Sequence, residues 1–262
     1  MEIIGYILAI AMGGVLGLIG GGGSILTVPI LVYVFQLDAR YATAYSLFVV
    51  GVASAIAAWD YKKRNLIDFK TGVIFAIPAF LGVYLVRRFL VPALPDHIGS
   101  FLKFEWTKDN LILIVFALVM LAASIMMIWE RKDTGPVEKK NPPPLLVTLE
   151  GLLVGGLTGF VGAGGGFMII PALVLLAGLN MKVAVGTSLF IITVKSLIGF
   201  IGDIQSTSNI DWIFLSKFTF FAIVGILIGT RISRKTDNKK LKPAFGWFVL
   251  VSGLLMLVKE LY

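Results

Sequence analysis

Long apolar runs separated by short polar loops dominate the chain. Apart from two glycine-rich segments, the runs cover residues 41–60, 71–91, 110–129, 182–202, 212–230 and 243–258. A straight helix needs about 20 apolar residues to cross a bilayer, and most of these runs approach that length. The pattern therefore predicts three membrane-spanning helices in each half of the chain.

Two further apolar segments, residues 3–36 and 145–177, are interrupted by glycine. The first interruption consists of Gly20, Gly21, Gly22, Gly23 and Ser24, and the second contains Gly162, Gly164, Gly165 and Gly166. Because glycine loses the most backbone entropy in a helix, each interruption predicts a helix break. The arms of the first segment have about 12–17 residues, which is short for a straight span, so we expect hairpins of two part-helices. Two thin full spans are the alternative.

The two halves of the chain repeat one another. Pro29 follows the first interruption and Pro171 follows the second, at an offset of 142 positions. Ser46 matches Ser188 at the same offset, and the fragment Ile67-Asp68 recurs as Ile210-Asp211 after a one-residue shift. This pattern indicates an internal duplication. We expect a single membrane domain over residues 1–262, with a first repeat at 1–130, a linker at 131–144 and a second repeat at 145–262.

The composition is that of a membrane protein. Hydrophobic residues make up 58% of the chain and charged residues 15%, against roughly 25% charged residues in soluble domains. The predicted fold class is therefore an all-α polytopic membrane protein. The chain has no cysteine and a single histidine, His97 in a loop, which excludes thiolate chemistry and disfavours a histidine metal site. We expect no metal, no cofactor and no enzymatic activity.

The charge distribution predicts the orientation of the helices. The net charge of +8 comes from basic residues that concentrate in the short loops 62–70, 131–140 and 231–242, as expected of cytoplasmic loops and not of a nucleic-acid-binding surface. The second and third of these loops share one side only if the broken segment between them starts and ends on the same side, as a hairpin does. We expect the same of the first broken segment. Each half then crosses the membrane an odd number of times, so the second repeat is inverted relative to the first.

The glycine breaks are the predicted binding elements. Paired helix breaks in two inverted halves are typical of transporter sites near the bilayer midplane. A break frees backbone N–H groups and the positive end of the following helix, both of which favour anions. Ser24 is predicted at the cap position of the first such helix. The alternative is that small residues serve helix packing. We favour packing for the outer glycines, which are Gly13, Gly17, Gly155 and Gly159.

Polar side chains within the spans are further candidates. Lys195 lies near the middle of span 182–202, where a charge normally faces a cavity or a partner, so it is a candidate substrate cation or a structural pair with Asp60 or Asp203. Ser46 and Ser188 could line the pathway or bond back to their own helices. Asp60 and Asp203 close matching spans and are weaker candidates for proton coupling, with simple solvation as the alternative.

The glycine motifs resemble those of a known family. The segments Gly17-Leu18-Ile19-Gly20-Gly21-Gly22-Gly23-Ser24 with Pro29 and Gly159-Phe160-Val161-Gly162-Ala163-Gly164-Gly165-Gly166 with Pro171 are similar to the motifs of the TauE/SafE family, also called TSUP permeases. The resemblance covers essentially the whole chain. It implies a multi-pass permease of the bacterial or archaeal inner membrane for small sulfur-containing anions, by import or export. The two motifs differ at one position: Gly166 occupies the place that matches Ser24, so the second copy lacks the equivalent hydroxyl.

These observations together predict a secondary transporter for a sulfite-, sulfonate- or sulfoacetate-like anion. An anion channel that uses the same glycine loops is the alternative, and a membrane enzyme or assembly subunit is a third class. The chain shows no Gly-x-x-x-x-Gly-Lys-Ser/Thr nucleotide-binding pattern. The expected partners are the small anion and the lipid bilayer, without nucleic acid, and a homodimer is an open option.

Overall fold

The structure is a computed structural model. It describes residues 2–21, 23–37, 39–90, 93, 97–101, 104–107, 114, 117–118, 120–122, 124–125, 127–128, 144–161, 166–204 and 210–261.

Helices dominate both halves of the described chain. The first half contains α1 (Glu2–Ile19), α2 (Gly23–Pro29), α3 (Ala39–Lys63) and α4 (Phe69–Leu85). The second half contains α5 (Pro144–Val161), α6 (Gly166–Pro171), α7 (Met181–Ile204), α8 (Trp212–Lys235) and α9 (Asn238–Leu261). The described positions between 114 and 128 are also helical.

Four of the described helices are long and apolar enough to cross a membrane. They are Glu2–Ile19, Tyr41–Lys63, Met181–Ile201 and Trp212–Lys235. Shorter apolar helices cover Phe69–Leu85, Pro144–Thr158 and Pro243–Leu255. The length and composition of these helices support a polytopic membrane protein.

A short β-hairpin is the one departure from the all-α class within the described residues. Strand β1 (His97–Phe101) pairs antiparallel with strand β2 (Phe104–Thr107), and Phe101 lies opposite Phe104. The hairpin falls in the loop 92–108, which was not predicted to contain strands. Its aromatic residues, which include Trp106, favour extended backbone.

Helices from opposite halves form the main packing contacts of the described bundle. Helix α1 packs on α8, α5 packs on α4, and α3 packs on α7. Gly13 meets Ala222 and Gly17 meets Ile226, so α1 and α8 run in the same direction. Helices α4 and α5 are likewise parallel, because Gly151 meets Phe75 and Gly155 meets Ala79.

The third pair of helices is antiparallel. Gly51 of α3 lies against Leu197 of α7, whereas Gly186, earlier in α7, lies against Tyr61, later in α3. The contact positions therefore descend along one helix as they rise along the other. The two halves are joined along the full length of these central helices.

The outer glycines allow the parallel helices to approach to backbone contact. A Cβ atom at Gly13 would lie 2.1 Å from the Ala222 carbonyl oxygen, and one at Gly155 would lie 2.1 Å from the Ala79 carbonyl oxygen. Small residues at such crossings are typical of membrane helix pairs. The predicted packing role is confirmed for Gly13, Gly17 and Gly155, whereas the surroundings of Gly159 lie outside the described residues.

The first broken segment folds back on itself. Gly23, at the start of α2, lies against Met12 and Leu16 of α1. At the other end, the ring centroids of Tyr6 and Phe35 are 5.5 Å apart. The return arm therefore runs antiparallel to α1. Helix α1 has 18 residues, close to the upper end of the predicted arm length, and it is long enough to cross the membrane, as in the alternative of thin full spans.

The return arms of the two halves share an unusual detail. Pro29 and Pro171 are each followed by a π-helix, Ile30–Val34 and Ala172–Leu176. Proline lacks an N–H donor and its ring displaces the preceding carbonyl, which favours a change of helical hydrogen bonding at this point. Two residues after the end of each π-helix, the backbone is left-handed. Gln36 has a φ of 55° and Gly178 has a φ of 68°. The same local structure thus recurs at the sequence offset.

Neighbouring glycines in α1 provide a matched test of the close packing. Gly13→Ala should push the helices apart and cost about 1–3 kcal/mol of stability, because the new Cβ would lie 2.1 Å from a carbonyl oxygen. At Gly14 the nearest atom would be 3.8 Å away, so Gly14→Ala should be neutral or slightly stabilising, since alanine favours helix. Thermal unfolding of the purified protein in detergent measures both effects.

Helix α5 offers the same comparison. Gly155→Ala should destabilise the protein, whereas Gly156→Ala should be tolerated because its Cβ would stand 3.5 Å from the Val86 side chain. Equal melting temperatures within both pairs of variants would contradict the close backbone contact.

Candidate functional site

The described residues of the first glycine break are buried, and the break begins with a left-handed residue. Helix α1 ends at Ile19, and the N–H of Gly20 donates a 2.7 Å hydrogen bond to the Leu16 carbonyl. Gly20 then takes a φ of +87°, a left-handed conformation that suits glycine. Gly20 and Gly21 are both buried, and Gly22 lies outside the described residues.

The helix after the break begins earlier than predicted. Helix α2 starts at Gly23, so Ser24 is its second residue and not the residue that precedes the helix. The side chain of Ser24 is not among those described. In the second half, Gly162, Gly164 and Gly165 also lie outside the described residues, whereas Gly166 is buried at the start of α6.

The structure brings Gly20 and Ser188 into contact across the two halves. A Cβ at Gly20 would lie 2.8 Å from Ser188 Oγ and 3.0 Å from the Cδ1 atom of Ile170. Ser188 is fully buried in α7 and donates its hydroxyl proton to the Val185 carbonyl at 2.8 Å. The predicted alternative, a serine bonded back to its own helix, is confirmed for Ser188. In this conformation the serine offers lone pairs to a neighbour, not a proton.

Ser46 occupies the equivalent position in α3 and is also buried. Its neighbour Tyr45 accepts a hydrogen bond at its hydroxyl from the N–H of Asp211, at 2.7 Å. In the matching arrangement, the N–H of Asp68 donates to Thr187 Oγ1 at 3.0 Å. The residues next to both serines therefore link α3 to the start of α8 and α7 to the start of α4.

Asp68 and Asp211 are also helix caps that the sequence analysis missed. The Asp68 carboxylate accepts from the N–H of Thr71 at the start of α4, and the Asp211 carboxylate accepts from the N–H of Phe214 at the start of α8. An aspartate directly before a helical run, in the repeated Ile-Asp pair, was the available signal.

Lys195 lines a narrow pocket between α4 and three helices of the second half, α5, α6 and α7. Among the described lining residues it alone carries a charge, and the others are Phe75, Ala76, Ala79, Phe80, Val154, Gly155, Thr158, Ile169 and Ile191. The Thr158 hydroxyl is engaged with the Gly155 carbonyl at 3.0 Å. A charge at this depth normally faces a cavity or a partner, and the role of Lys195 as a substrate cation stays a prediction.

Helix α6 connects the Lys195 pocket with the first glycine break. Ile169 lines the pocket, and the next residue, Ile170, contacts Gly20. The pocket and the break thus lie on neighbouring faces of one short helix. The described residues place Lys195, Ser188 and Gly20 in this region, whereas no described contact brings Ser46 or Asp60 into it.

Asp60 belongs to an ionic cluster at one end of the bundle. Its carboxylate pairs with Arg64 at 2.8 Å and also with Arg234, and the neighbouring Tyr61 hydroxyl lies 2.8 Å from Ser233 Oγ. The cluster ties the last turn of α3 to the last turn of α8. The Asp60 side chain is 19% exposed, so ion pairing and not simple solvation accounts for it. The side chain of Asp203 is not described, and proton coupling by either residue stays a prediction.

Glu150 is a buried acidic residue that the sequence analysis did not single out. It lies in α5, its exposed fraction is 3%, and neither carboxylate oxygen has a hydrogen-bond partner among the described residues. The available signal was a lone acidic residue in the apolar run 145–161.

Comparison with protein families shows where this arrangement belongs. The family model described as "Sulfite exporter TauE/SafE" matches residues 6–256. The chain belongs to the sulfite exporter TauE/SafE family. The resemblance drawn from the glycine motifs is thereby confirmed.

Relatives of this TauE/SafE chain align over nearly its full length. A "Probable membrane transporter protein" of Xylella fastidiosa (strain 9a5c) is 28% identical, with 98% of this chain and 97% of the relative covered. YunE of Bacillus subtilis (strain 168), which carries the same description, is 27% identical over 99% of this chain and 98% of its own. A protein so described from Methanocaldococcus jannaschii is 27% identical over 98% and 94%. No solved structure matches the chain significantly.

The TauE/SafE relationship and the apolar helices agree on the broad class of the protein. The family and the relatives point to a membrane transporter and not to an enzyme. The four long apolar helices are consistent with a multi-pass membrane protein.

The contact between Gly20 and Ser188 can be tested with a double-mutant cycle. Gly20→Ala should destabilise this TauE/SafE protein by about 1–3 kcal/mol, because alanine is disfavoured at a positive φ and its Cβ would crowd Ser188 Oγ. Ser188→Ala removes that oxygen, so the double variant should be less destabilised than the sum of the single changes. Thermal unfolding in detergent measures all three variants, and strict additivity would contradict the contact.

Proposed function

We propose that the protein is a secondary transporter that moves a small sulfur oxyanion or organosulfur anion across the bacterial or archaeal inner membrane. The substrate class is that of sulfite, sulfonates and sulfoacetate. The observation that carries the proposal is Lys195 in its apolar pocket beside the broken helices. Membership of the sulfite exporter TauE/SafE family supports the choice of a sulfur anion.

In the proposed site, Lys195 supplies the positive charge and the glycine breaks supply backbone N–H groups. A glycine backbone allows an oxyanion to approach closely, and the N–H groups need no charge of their own to bind it. In the first half the N–H of Gly20 is already bonded to the Leu16 carbonyl, so Gly22, Gly23 and Ser24 are the proposed donors there, and Gly162, Gly164, Gly165 and Gly166 are their proposed counterparts in the second half. The apolar lining of the pocket would exclude water and strengthen the attraction between anion and lysine.

We propose that the two halves form inverted repeats. Helix α4 follows α3 through a short turn at 64–68 and runs back along the bundle. Because α3 and α7 are antiparallel, α4 and α8 should point in opposite directions as well. The parallel pairs α1–α8 and α4–α5 then give α1 and α5 opposite directions. The return arm beside α1 supports a hairpin at the first break, so each half would contain a hairpin and three spans.

The ionic cluster supports a common side for two basic loops. Tyr61 and Ser233, at the ends of α3 and α8, are in hydrogen-bond contact, so the loops 62–70 and 231–242 start at the same end of the bundle. The positive-inside rule assigns this end to the cytoplasm. We propose a single membrane domain in which the linker 131–144 joins the repeats on the same side.

The topology can be tested by labelling, because the chain has no native cysteine. Single cysteines at Lys63, Lys139 and Lys239 should react with an impermeant maleimide only from the cytoplasmic side. A cysteine at Glu2, which lies at the opposite end of the proposed topology, should react from the outside and serves as the control. Outside labelling at any of the three lysine positions would contradict the inverted arrangement.

Uptake into proteoliposomes tests the substrate and the role of Lys195. Labelled sulfite, sulfoacetate, taurine, sulfate and acetate should be compared, and one sulfur anion should show saturable uptake and counterflow. Lys195→Ala should weaken that uptake at least tenfold through a raised KM, because removing one partner of a desolvated charge pair costs about 2–5 kcal/mol. Thermal unfolding should show that the variant still folds.

Lys217→Ala provides the matched control for this experiment, because Lys217 is an exposed lysine in helix α8. It should transport normally. Unchanged kinetics in Lys195→Ala would remove this lysine from the site, and ohmic currents without counterflow would favour the anion channel.

A further inference from the structure

Glu150 is an ionisable residue that is not part of the proposed binding site. It lies in the second turn of α5, between the buried residues Val147 and Val154, with 3% of its surface exposed. Neither carboxylate oxygen has a hydrogen-bond partner among the described residues. A buried carboxylate without a donor is costly in its charged form, and such residues in membrane helices often mark proton pathways.

Within the part of the chain that the structure describes, the elements that pack on α5 offer little compensating charge at this level. Helix α5 packs on α4, α6 and the π-helices Val86–Leu90 and Ala172–Leu176. In α4, Lys70 is exposed and precedes Phe75, which contacts Gly151, by more than one turn. Arg87 and Arg88 lie in the π-helix Val86–Leu90 that follows α4, and their side chains are not described. Helix α6 and the π-helix Ala172–Leu176 contain no charged residue.

Glu150 lies in line with the Lys195 pocket. Glu150, Val154 and Thr158 are spaced four residues apart, so they share one face of α5. Val154 and Thr158 line the pocket. Glu150 therefore lies one to two turns, or roughly 6–12 Å along the helix axis, from the pocket towards the start of α5. In the proposed topology that start faces the cytoplasm.

We propose that Glu150 is the proton-carrying residue that couples anion movement to the proton gradient. This inference rests on the proposed transport function. The carboxylate takes up one proton from water on the outer side while the pocket is open to that side, and it becomes the neutral acid. It releases that proton to cytoplasmic water when the α5 end opens. One proton would then accompany each transport cycle. The equivalent position in the first half is occupied by Leu8, so only one of the two repeats carries a carboxylate at this position.

The test compares three substitutions in proteoliposomes. Glu150→Gln keeps the shape but cannot carry a proton, Glu150→Leu carries the side chain of the equivalent first-half position, and Glu150→Asp keeps a titratable carboxyl. Uptake of labelled sulfite, or of the panel anion that the unmodified protein accumulates best, is measured with an imposed pH gradient. Counterflow of the same anion is measured without a gradient.

We expect the unmodified protein to accumulate the anion several-fold above equilibrium under the gradient. Glu150→Gln and Glu150→Leu should exchange the anion but lose this accumulation, and Glu150→Asp should restore part of it. Asp237→Asn, which alters an exposed carboxylate before α9, should behave like the unmodified protein. Gradient-driven accumulation by folded Glu150→Gln would overturn the proposal, as would the loss of counterflow in both neutral variants.

Infrared difference spectroscopy adds a readout that does not depend on transport. The carbonyl band of a protonated carboxylic acid should be present in the unmodified protein and absent from Glu150→Gln, and its amplitude should change with pH. If no panel anion is transported by the unmodified protein, the proposed function fails and coupling fails with it. If transport occurs but is independent of the gradient, or the band is unaffected by Glu150→Gln, only the role of Glu150 fails.

Discussion

The close approach of parallel helices from opposite halves is the constraint on which the rest of the described structure depends. Glycine makes this contact possible, because a Cβ at Gly13 or Gly155 would overlap a carbonyl oxygen of the partner helix. In a bilayer the hydrophobic effect does not drive helices together, so van der Waals packing at such crossings carries much of the stability. These crossings fix α1 against α8 and α5 against α4, and so they determine where the break at the end of α1 lies.

The charged residues differ more between the two halves of the chain than the local backbone structure does. The π-helices after Pro29 and Pro171 and the links from Tyr45 and Thr187 recur in both halves. Lys195 and Glu150 do not recur, because Ala53 and Leu8 hold the matching positions. A symmetric frame suits two equivalent orientations of the bundle, as alternating access requires. A single charged pocket would then be presented to each side in turn.

Much of this arrangement could be predicted from the sequence, since spans and glycine breaks follow from local hydrophobicity and backbone entropy. Helix α3 covers the predicted span 41–60, and α1 ends where the glycines begin. Contacts between distant residues could not be predicted in the same way. The pairing of Asp60 with Arg234 joins residues 174 positions apart, and the isolation of Glu150 depends on which side chains pack around it. The hairpin at 97–107 was missed because its short strands lie in a loop without a clear alternating pattern.

The pairing of α1 with α8 has a consequence for biosynthesis. The glycine face of α1 finds its partner around Gly225, more than two hundred residues later in the chain. At ribosomal rates of about 5–20 residues per second, α1 waits roughly 10–40 s for that partner to be synthesised. During this interval its bare glycine row faces lipid or the insertion machinery, and it is open to pairing with small-residue faces of other nascent helices. Helix α1 is therefore synthesised long before α8, the neighbour on which it packs in the native bundle.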